Sequence, residues 1–324
     1  MKEHLTGFAE PKHLFLTLFM FVAMYGINAS SQEAQTICLD EILTVGKNDS
    51  LSLFQWAGLC TDDAQNIYVT DMIDNRVKKF SANGKGLLSK DIKTVGGDSF
   101  DAVRLIAFCD GFLYLIDQNR PGIKILDSNL RYKGQIDIPH QIVDFKVVNR
   151  NLIFYEPFSL TGAMKIIAID SLGKIVNQYK PPTAGKGGIY NLAIFDCSST
   201  NVFHFFCRFK DLGFQYDLIN GVRWQRSYHG GKKGESGKLL IFDMPKTVFF
   251  LDIAFDTFDN LFVLQGHLAE HPNRDIMVID RTGKVSRLLT LNDTSHLIHI
   301  DEFNNLYARA EKGTLVKKYR ISYR

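Results

Sequence analysis

Two short stretches of this 324-residue chain carry residue types that perform chemistry when suitably held. "HLAEH", residues 267–271, has H-x-x-E-H spacing. On a helix, that spacing puts two imidazoles and a carboxylate on one face, where they bind zinc and activate water. Here the stretch lies between "LFVLQG" and "RDIMVID", both strand-like, and Pro272 follows at once. A helix has no room, so it reads as a polar hairpin loop. "GGKKGESGK", residues 230–238, invites comparison with a phosphate loop. G-x-x-x-x-G-K-[ST] spacing fails there, because Lys232 and Leu239 occupy the positions that need Gly and Ser or Thr. The stretch reads as a flexible basic linker. The five cysteines, Cys38, Cys60, Cys109, Cys197 and Cys207, are odd in number and contain no C-x-x-C, which excludes a redox motif or zinc knuckle. Cys197 and Cys207 lie on two runs joined by a short turn, so a disulfide across that hairpin is one expectation.

With no strong catalytic motif, the elements that would position a site carry more information. "DDAQNIYVTDMIDNRVKKFSANGKG", residues 62–86, parses as turn, strand, turn, strand, turn, and "FQWAGLCT" before it supplies one more strand. "IYVTD" and "RVKKFSA" alternate with period two, and "NGKG" is a hairpin signal. The same grammar recurs at 103–135, 141–178, 191–225, 251–289 and 296–323. Asn66, Gly111, Asn151, Asn201, Asn260 and Asn305 mark equivalent turns, spaced by 45, 40, 50, 59 and 45 residues. Such intervals are those of propeller blades. One small sheet cannot bury both faces, so blades stack radially around an axis.

The expected fold is therefore all-β, a six-bladed β-propeller of four-stranded antiparallel blades. "DEILTVGK", residues 40–47, is left over as an N-terminal strand. The last unit ends after its third run at Arg324, so this strand should close the ring and cover an open edge. Abundant Phe, 25 residues, fits strands better than helices.

The first unit resembles the NHL repeat in Gly58, Asp62, Asn66, Tyr68, Val69, Asp71, Asn75, Arg76, Phe80 and Gly84. Units five and six match in part, and units three and four scarcely. The whole is similar to six-bladed propellers exported by Bacteroidetes-type bacteria. Asp62, Asp71 and Asn75 are then turn and blade-contact residues, because Asx side chains satisfy backbone donors at tight turns.

In such a ring the place for a ligand is the channel mouth, where inner strands begin. The blade register puts Trp56, Arg104, His140, Tyr190, Asn191, Asp252 and His296 there. Aromatic, cationic and acidic groups in one mouth suit a small polar ligand. No metal and no other cofactor is required by this reading. The resemblance also implies an alternative. Some six-bladed propellers hold a divalent metal on the axis and act as hydrolases or lyases, and His140, Asn191, Asp252 and His296 are the residues available for that role.

"LFLTLFMFVAMYGI", residues 14–27, is apolar and uncharged, with Lys12 and His13 before it and "NASS" after it. Its length suits a secretory leader rather than a spanning helix. The expected organisation is a leader over 1–29, cut after Ala29, a linker over 30–39 and the propeller over 40–324. A secreted, periplasmic or cell-surface location follows, with an uncleaved membrane anchor as the alternative. Lys+Arg 38 against Asp+Glu 35 leaves a net charge of +3. That balance argues against nucleic acid as a partner. The function expected is a non-catalytic binding module for a protein, peptide or glycan.

Overall fold

A computed structural model of the protein describes residues 36–46, 51–93, 96, 103–117, 122–138, 142, 144–148, 151–156, 165–170, 172–179, 192–198, 202–217, 220–239 and 242–324. Cys38–Ser322 form one compact unit, to which everything below refers. The leader expected over 1–29 lies outside the described residues. Among the described residues no helix is long and apolar enough to cross a membrane.

The strands run in order as β1 (Ile37–Val45), then β2 (Trp56–Thr61), β3 (Ile67–Asp71), β4 (Arg76–Phe80) and β5 (Gly86–Asp91) as blade one. Blade two is β6 (Val103–Cys109), β7 (Phe112–Asp117), β8 (Ile123–Asp127) and β9 (Tyr132–Ile136). Blade three is β10 (Asp144–Val148), β11 (Asn151–Glu156), β12 (Lys165–Ile169) and β13 (Ile175–Tyr179). Blade four is β14 (Ala193–Cys197), β15 (Val202–Cys207), β16 (Gly213–Asp217) and β17 (Gly221–Arg226). A separate hairpin follows, β18 (Ser236–Leu239) and β19 (Phe242–Pro245). Blade five is β20 (Phe250–Phe255), β21 (Leu261–Gln265), β22 (Asp275–Ile279) and β23 (Val285–Thr290). Blade six is β24 (Ile298–Ile300), β25 (Asn305–Ala310) and β26 (Leu315–Tyr323), and β1 pairs with β26 as its outer strand. The expected closure by an N-terminal strand is thus present, with the strand beginning at Ile37.

The turns explain why the sequence breaks where it does. Asp62 accepts hydrogen bonds from the backbone N–H groups of Ala64 and Asn66, from the Asn66 amide and from the Tyr68 hydroxyl. Asp301 does the same for Phe303, Asn305 and Tyr307. Asp256 repeats the pattern for Phe258 and Asn260. In each turn the residue before the Asn is left-handed: Gln65, Asp259 and Asn304 have φ of 59°, 61° and 58°. Asp71 likewise takes the N–H groups of Phe54 and Gln55 and the Lys78 ammonium. These acids are structural.

The second strand of a blade is buried on both faces, as in β3, β15 and β21, and period-two alternation decides which neighbour each residue meets. In β3, Ile67 and Val69 pack toward blade six with Trp56 and Tyr307, whereas Tyr68 packs toward blade two with Leu113 and Leu126. In β11, Leu152 faces blade two and Ile153 faces blade four. In β15, Phe203 and Phe205 belong to the blade three–four layer and Phe206 to the blade four–five layer. The apolar mass therefore lies between blades, which leaves the axis to polar groups.

Three local expectations have definite outcomes. The disulfide between Cys197 and Cys207 is not formed, and none of the five cysteines is disulfide-bonded. Register explains it, because Cys197 sits opposite Phe203 while Cys207 sits opposite Ala193, at the other end of the strand pair. The stretch 230–238 is less of a linker than expected. Its C-terminal part enters β18, and Asp211 gathers the N–H groups of Tyr228, His229 and Gly231. This hairpin accounts for the long 59-residue interval between the Asn201 and Asn260 markers. "HLAEH" is the β21–β22 loop, with His271 bonded to Asp275 and His267 accepting from the Val248 N–H.

Candidate functional site

One end of the axial channel opens into a cavity of about 730 Å³ walled by the inner strands of all six blades. Strand register sets the height of each wall residue. β2, β6 and β20 each carry a bulge near their start, at Ala57, Arg104 and Leu251. His296 lies five residues before its turn acid Asp301, as Ala57 does before Asp62 and Leu251 before Asp256. Arg104 and His296 thus share the uppermost level, and both are exposed. Asp252 stands one residue deeper, directly after its bulge. Asp144 matches it, being four residues from the end of β10 as the post-bulge Leu105 is from the end of β6. Two residues further in stand Lys146, Asp196 and His299. At about 3.3 Å per residue, the acids lie about 3 Å below the mouth and the deepest level about 10 Å below it.

Two more cations reach the mouth from second strands, which run antiparallel and return to this end. Arg208 follows β15, and its N–H bonds the Leu192 carbonyl at the start of β14. Arg309, in β25, bonds the Leu297 carbonyl. The three guanidinium groups line one cavity. Among the described residues, Arg104 and Arg208 make no ion pair or side-chain hydrogen bond, and the Arg309 guanidinium gives a single bond, to the Lys312 carbonyl at 3.2 Å. Its Nε is buried with no partner. Burial, and then repulsion from Arg104, lower the Arg309 pKa. His296 is lowered by burial, then by Arg309 and Arg208. Arg208 attracts Asp144 and Asp252 at longer range, but among the described residues no carboxylate is in contact with any of the three like charges, which leaves a place for an anion.

The deeper levels have the opposite sign. Lys146 Nζ lies 3.9 Å from Asp196 Oδ1. Burial works against its charge, but Asp196, then Asp144 and Asp252, raise its pKa. Burial raises all three acids, Asp252 to about 7. Each accepts the N–H of its own next residue at 2.8–3.0 Å. Asp252 also takes the Ile298 N–H of blade six at 2.8 Å, and Asp196 the Phe255 N–H of blade five. His299 meets Thr61 Oγ1 at 3.1 Å, and burial followed by Lys146 pushes it down to about 4. It is a neutral imidazole at physiological pH.

Of the seven residues expected at the mouth, Arg104, Asp252 and His296 line this cavity. His140, Tyr190 and Asn191 lie outside the described residues. Trp56 stands behind the wall: it is fully buried, its indole N–H bonds the Leu315 carbonyl at 2.9 Å, and its ring lies 5.9 Å from the Arg309 guanidinium. Its place in the site is under Arg309. Sequence reasoning missed Arg208, Arg309, Asp144, Lys146 and Asp196. A signal existed for two of them: Lys146 in "DFKVV" and Asp196 in "AIFDC" are lone charges inside apolar inner strands. For the axial metal alternative, no group of three His, Cys, Asp or Glu side chains among the described residues is placed to hold a metal ion.

No protein family and no curated protein sequence matches the chain. Solved structures do. A member of the DUF4221 family from Bacteroides vulgatus superposes with a TM-score of 0.59 at 9% identity, covering 89% of this chain and 98% of that one. A protein of unknown function from Bacteroides thetaiotaomicron gives 0.56 at 12% identity, over 89% and 76%. Streptogramin B lyase gives 0.55 at 10% identity, over 89% and 98%. At such identities the likeness is one of fold, a six-bladed propeller shared with Bacteroides proteins.

Proposed function

We propose that the protein is an exported, non-catalytic binding module that takes a peptide or glycan ligand into the axial cavity. The observation that carries this reading is the gathering of Arg104, Arg208 and Arg309 at one mouth without a carboxylate in contact. Charges of one sign held together in a half-buried cleft raise the local concentration of complementary ligands and fix their orientation. The fold supplies a rigid frame, since apolar layers fill the spaces between neighbouring blades from blade six round to blade five. Export is supported by the leader-like run at 14–27.

The test is a panel of immobilised glycans and peptides probed with the mature chain and with an Arg104→Gln/Arg208→Gln variant. A ligand held by the wild type should be weakened at least about tenfold in the variant, because charge-assisted hydrogen bonds contribute about 1.5–3 kcal/mol each. Circular dichroism should not move, and the urea midpoint should fall only by what the longer-range attraction of Arg208 for Asp144 and Asp252 supplies, about 1 kcal/mol or less. Ligand binding that survives the double substitution unchanged would remove the cavity from consideration.

A further inference from the structure

The geometry points to a zwitterionic ligand, a free amino acid or a short peptide with both ends unblocked, its ammonium leading into the channel and its carboxylate trailing at the arginines. This rests on the axial cavity being the binding site and names what fills it.

The vertical order of charge is the argument. Cations occupy the mouth, the acids Asp144 and Asp252 stand one level in, and Asp196 with Lys146 stands below them. Below the mouth three carboxylates face one ammonium, Lys146; Arg208 attracts Asp144 and Asp252 from the rim without pairing with either, so no cation is in contact with those two acids among the described residues. Desolvated carboxylates are costly unless a cation or donor meets them. Asp144 and Asp252 line the cavity, and their one and two backbone N–H donors fill only part of the four lone-pair sites of each carboxylate, so acceptors remain for an entering ammonium. A carboxylate entering first would meet those acids, which fixes the polarity of entry.

Length agrees. From the rim to the upper acids is about 3 Å and to the lower level about 10 Å at the strand rise. An extended chain advances about 3.3–3.6 Å per residue, so one to three residues span that interval. Among the described residues a glycan finds no open platform. Sugars and other flat-faced ligands use exposed aromatic faces, and here Trp56 is covered, Phe145 is buried, Phe108 is stacked on Tyr68 at 6.1 Å and Phe255 meets the His204 ring edge-on at 4.9 Å.

The experiment uses the mature chain and pooled Ala-X-Ala tripeptides, X being each natural residue, in free, N-acetylated and C-amidated forms. A panel of neutral oligosaccharides is run beside them. Thermal shift finds the binders and calorimetry gives their Kd. The free pool should raise the Tm, and either blocking group should weaken binding about tenfold or more, the worth of one charge-assisted contact. Arg208→Gln should weaken the free and N-acetylated forms alike, which assigns the carboxylate to the rim. Equal binding of free and acetylated pools, or of free and amidated pools, overturns the zwitterion. Binding of neutral oligosaccharides alone, sensitive to Arg104→Gln/Arg208→Gln, overturns it while leaving the cavity reading intact. No binding by any pool overturns both. Wild-type comparisons across the three pools decide the matter even where a variant folds poorly.

Discussion

Replacing Asp252 by Asn changes the channel in a way whose sign depends on pH. Burial, with a smaller contribution from Asp144, holds the Asp252 carboxyl at about 7 instead of the ordinary 3.8, against the pull of Lys146. A carboxyl raised in the folded state binds its proton more tightly there than in the unfolded chain. Its contribution is therefore favourable at low pH and is lost as pH rises from about 4 through about 7. A change from 3.8 to about 7 corresponds to about 4 kcal/mol. Two losses reduce the gain from neutralising it. Lys146 gives up part of its compensating charge, about 1–2 kcal/mol, since a buried ammonium needs its counter-ions. Asn keeps one carbonyl oxygen for the Ile298 N–H and gives up the acceptor of the Ile253 N–H, at about 1 kcal/mol. Asp252→Asn should thus stabilise the protein by about 1–2 kcal/mol near pH 8.5, where the wild-type group is ionised. Near pH 4.5 the wild-type group is already neutral, and the variant should be about 1 kcal/mol less stable. Urea unfolding at the two pH values, with unchanged m-values, measures both. A difference of one sign at both pH values, or destabilisation near pH 8.5, refutes the assignment of a desolvated, under-compensated carboxylate.

Other substitutions separate the remaining contributions. His299 is held at about 4 by burial and Lys146, so its share of stability is present above the unfolded value of about 6.5 and lost as pH falls toward 4. His299→Gln, which keeps a polar contact for Thr61, should remove about 3 kcal/mol of acid sensitivity in that window, read from urea midpoints at pH values from about 4 to about 7. Tyr307→Phe deletes a fully buried hydroxyl that donates to Asp301 at 2.9 Å. It should cost about 1–2 kcal/mol in chemical denaturation, and a neutral result would mean the turn acid is satisfied without it. Alkylation of the denatured, unreduced protein should label all five thiols by intact mass, and a mass short by two labels would reveal a disulfide.

The fold was legible where turn chemistry is spelled in side chains. Blades one, five and six announce themselves because Asp62, Asp256 and Asp301 each need an Asn four residues on. Blade two turns on Asp110 and Gly111, whose positive φ values need no such pair, so it was found by spacing and strand alternation alone. The hairpin β18–β19 was hidden because its residues are short, polar and glycine-containing, and its order comes from contacts outside itself. Glu235, just before it, bonds Thr247 and accepts from the Lys246 N–H. In the site, counting residues to the start of each inner strand found Arg104, Asp252 and His296. The same counting was blind to Arg208 and Arg309, which arrive at the mouth from the far ends of second strands. It could not see that Trp56 is covered by its own neighbours, since a covered and an open indole look alike in sequence.

Why the axis keeps so much charge has two answers, and the residues divide cleanly between them. Asp252 and Asp196 each hold a backbone N–H of the following blade, and His299 reaches Thr61 across the ring's closing seam. These groups tie inner strands together where no apolar layer reaches, so part of the polar channel is the price of closing a six-fold ring. That reason does not extend to Arg104 and Arg208. Among the described residues their side chains make no hydrogen bond or ion pair between blades, Arg104 repels Arg309, and Arg208 is drawn to Asp144 and Asp252 only at longer range, while Arg104 is exposed. A propeller needs them neither to fold nor to close. Structural ties and unmatched cations share one cavity, so the acids should report on stability and the arginines on ligand. A variant set that moved both readouts together would mean that the ring itself, and not its mouth, had been perturbed.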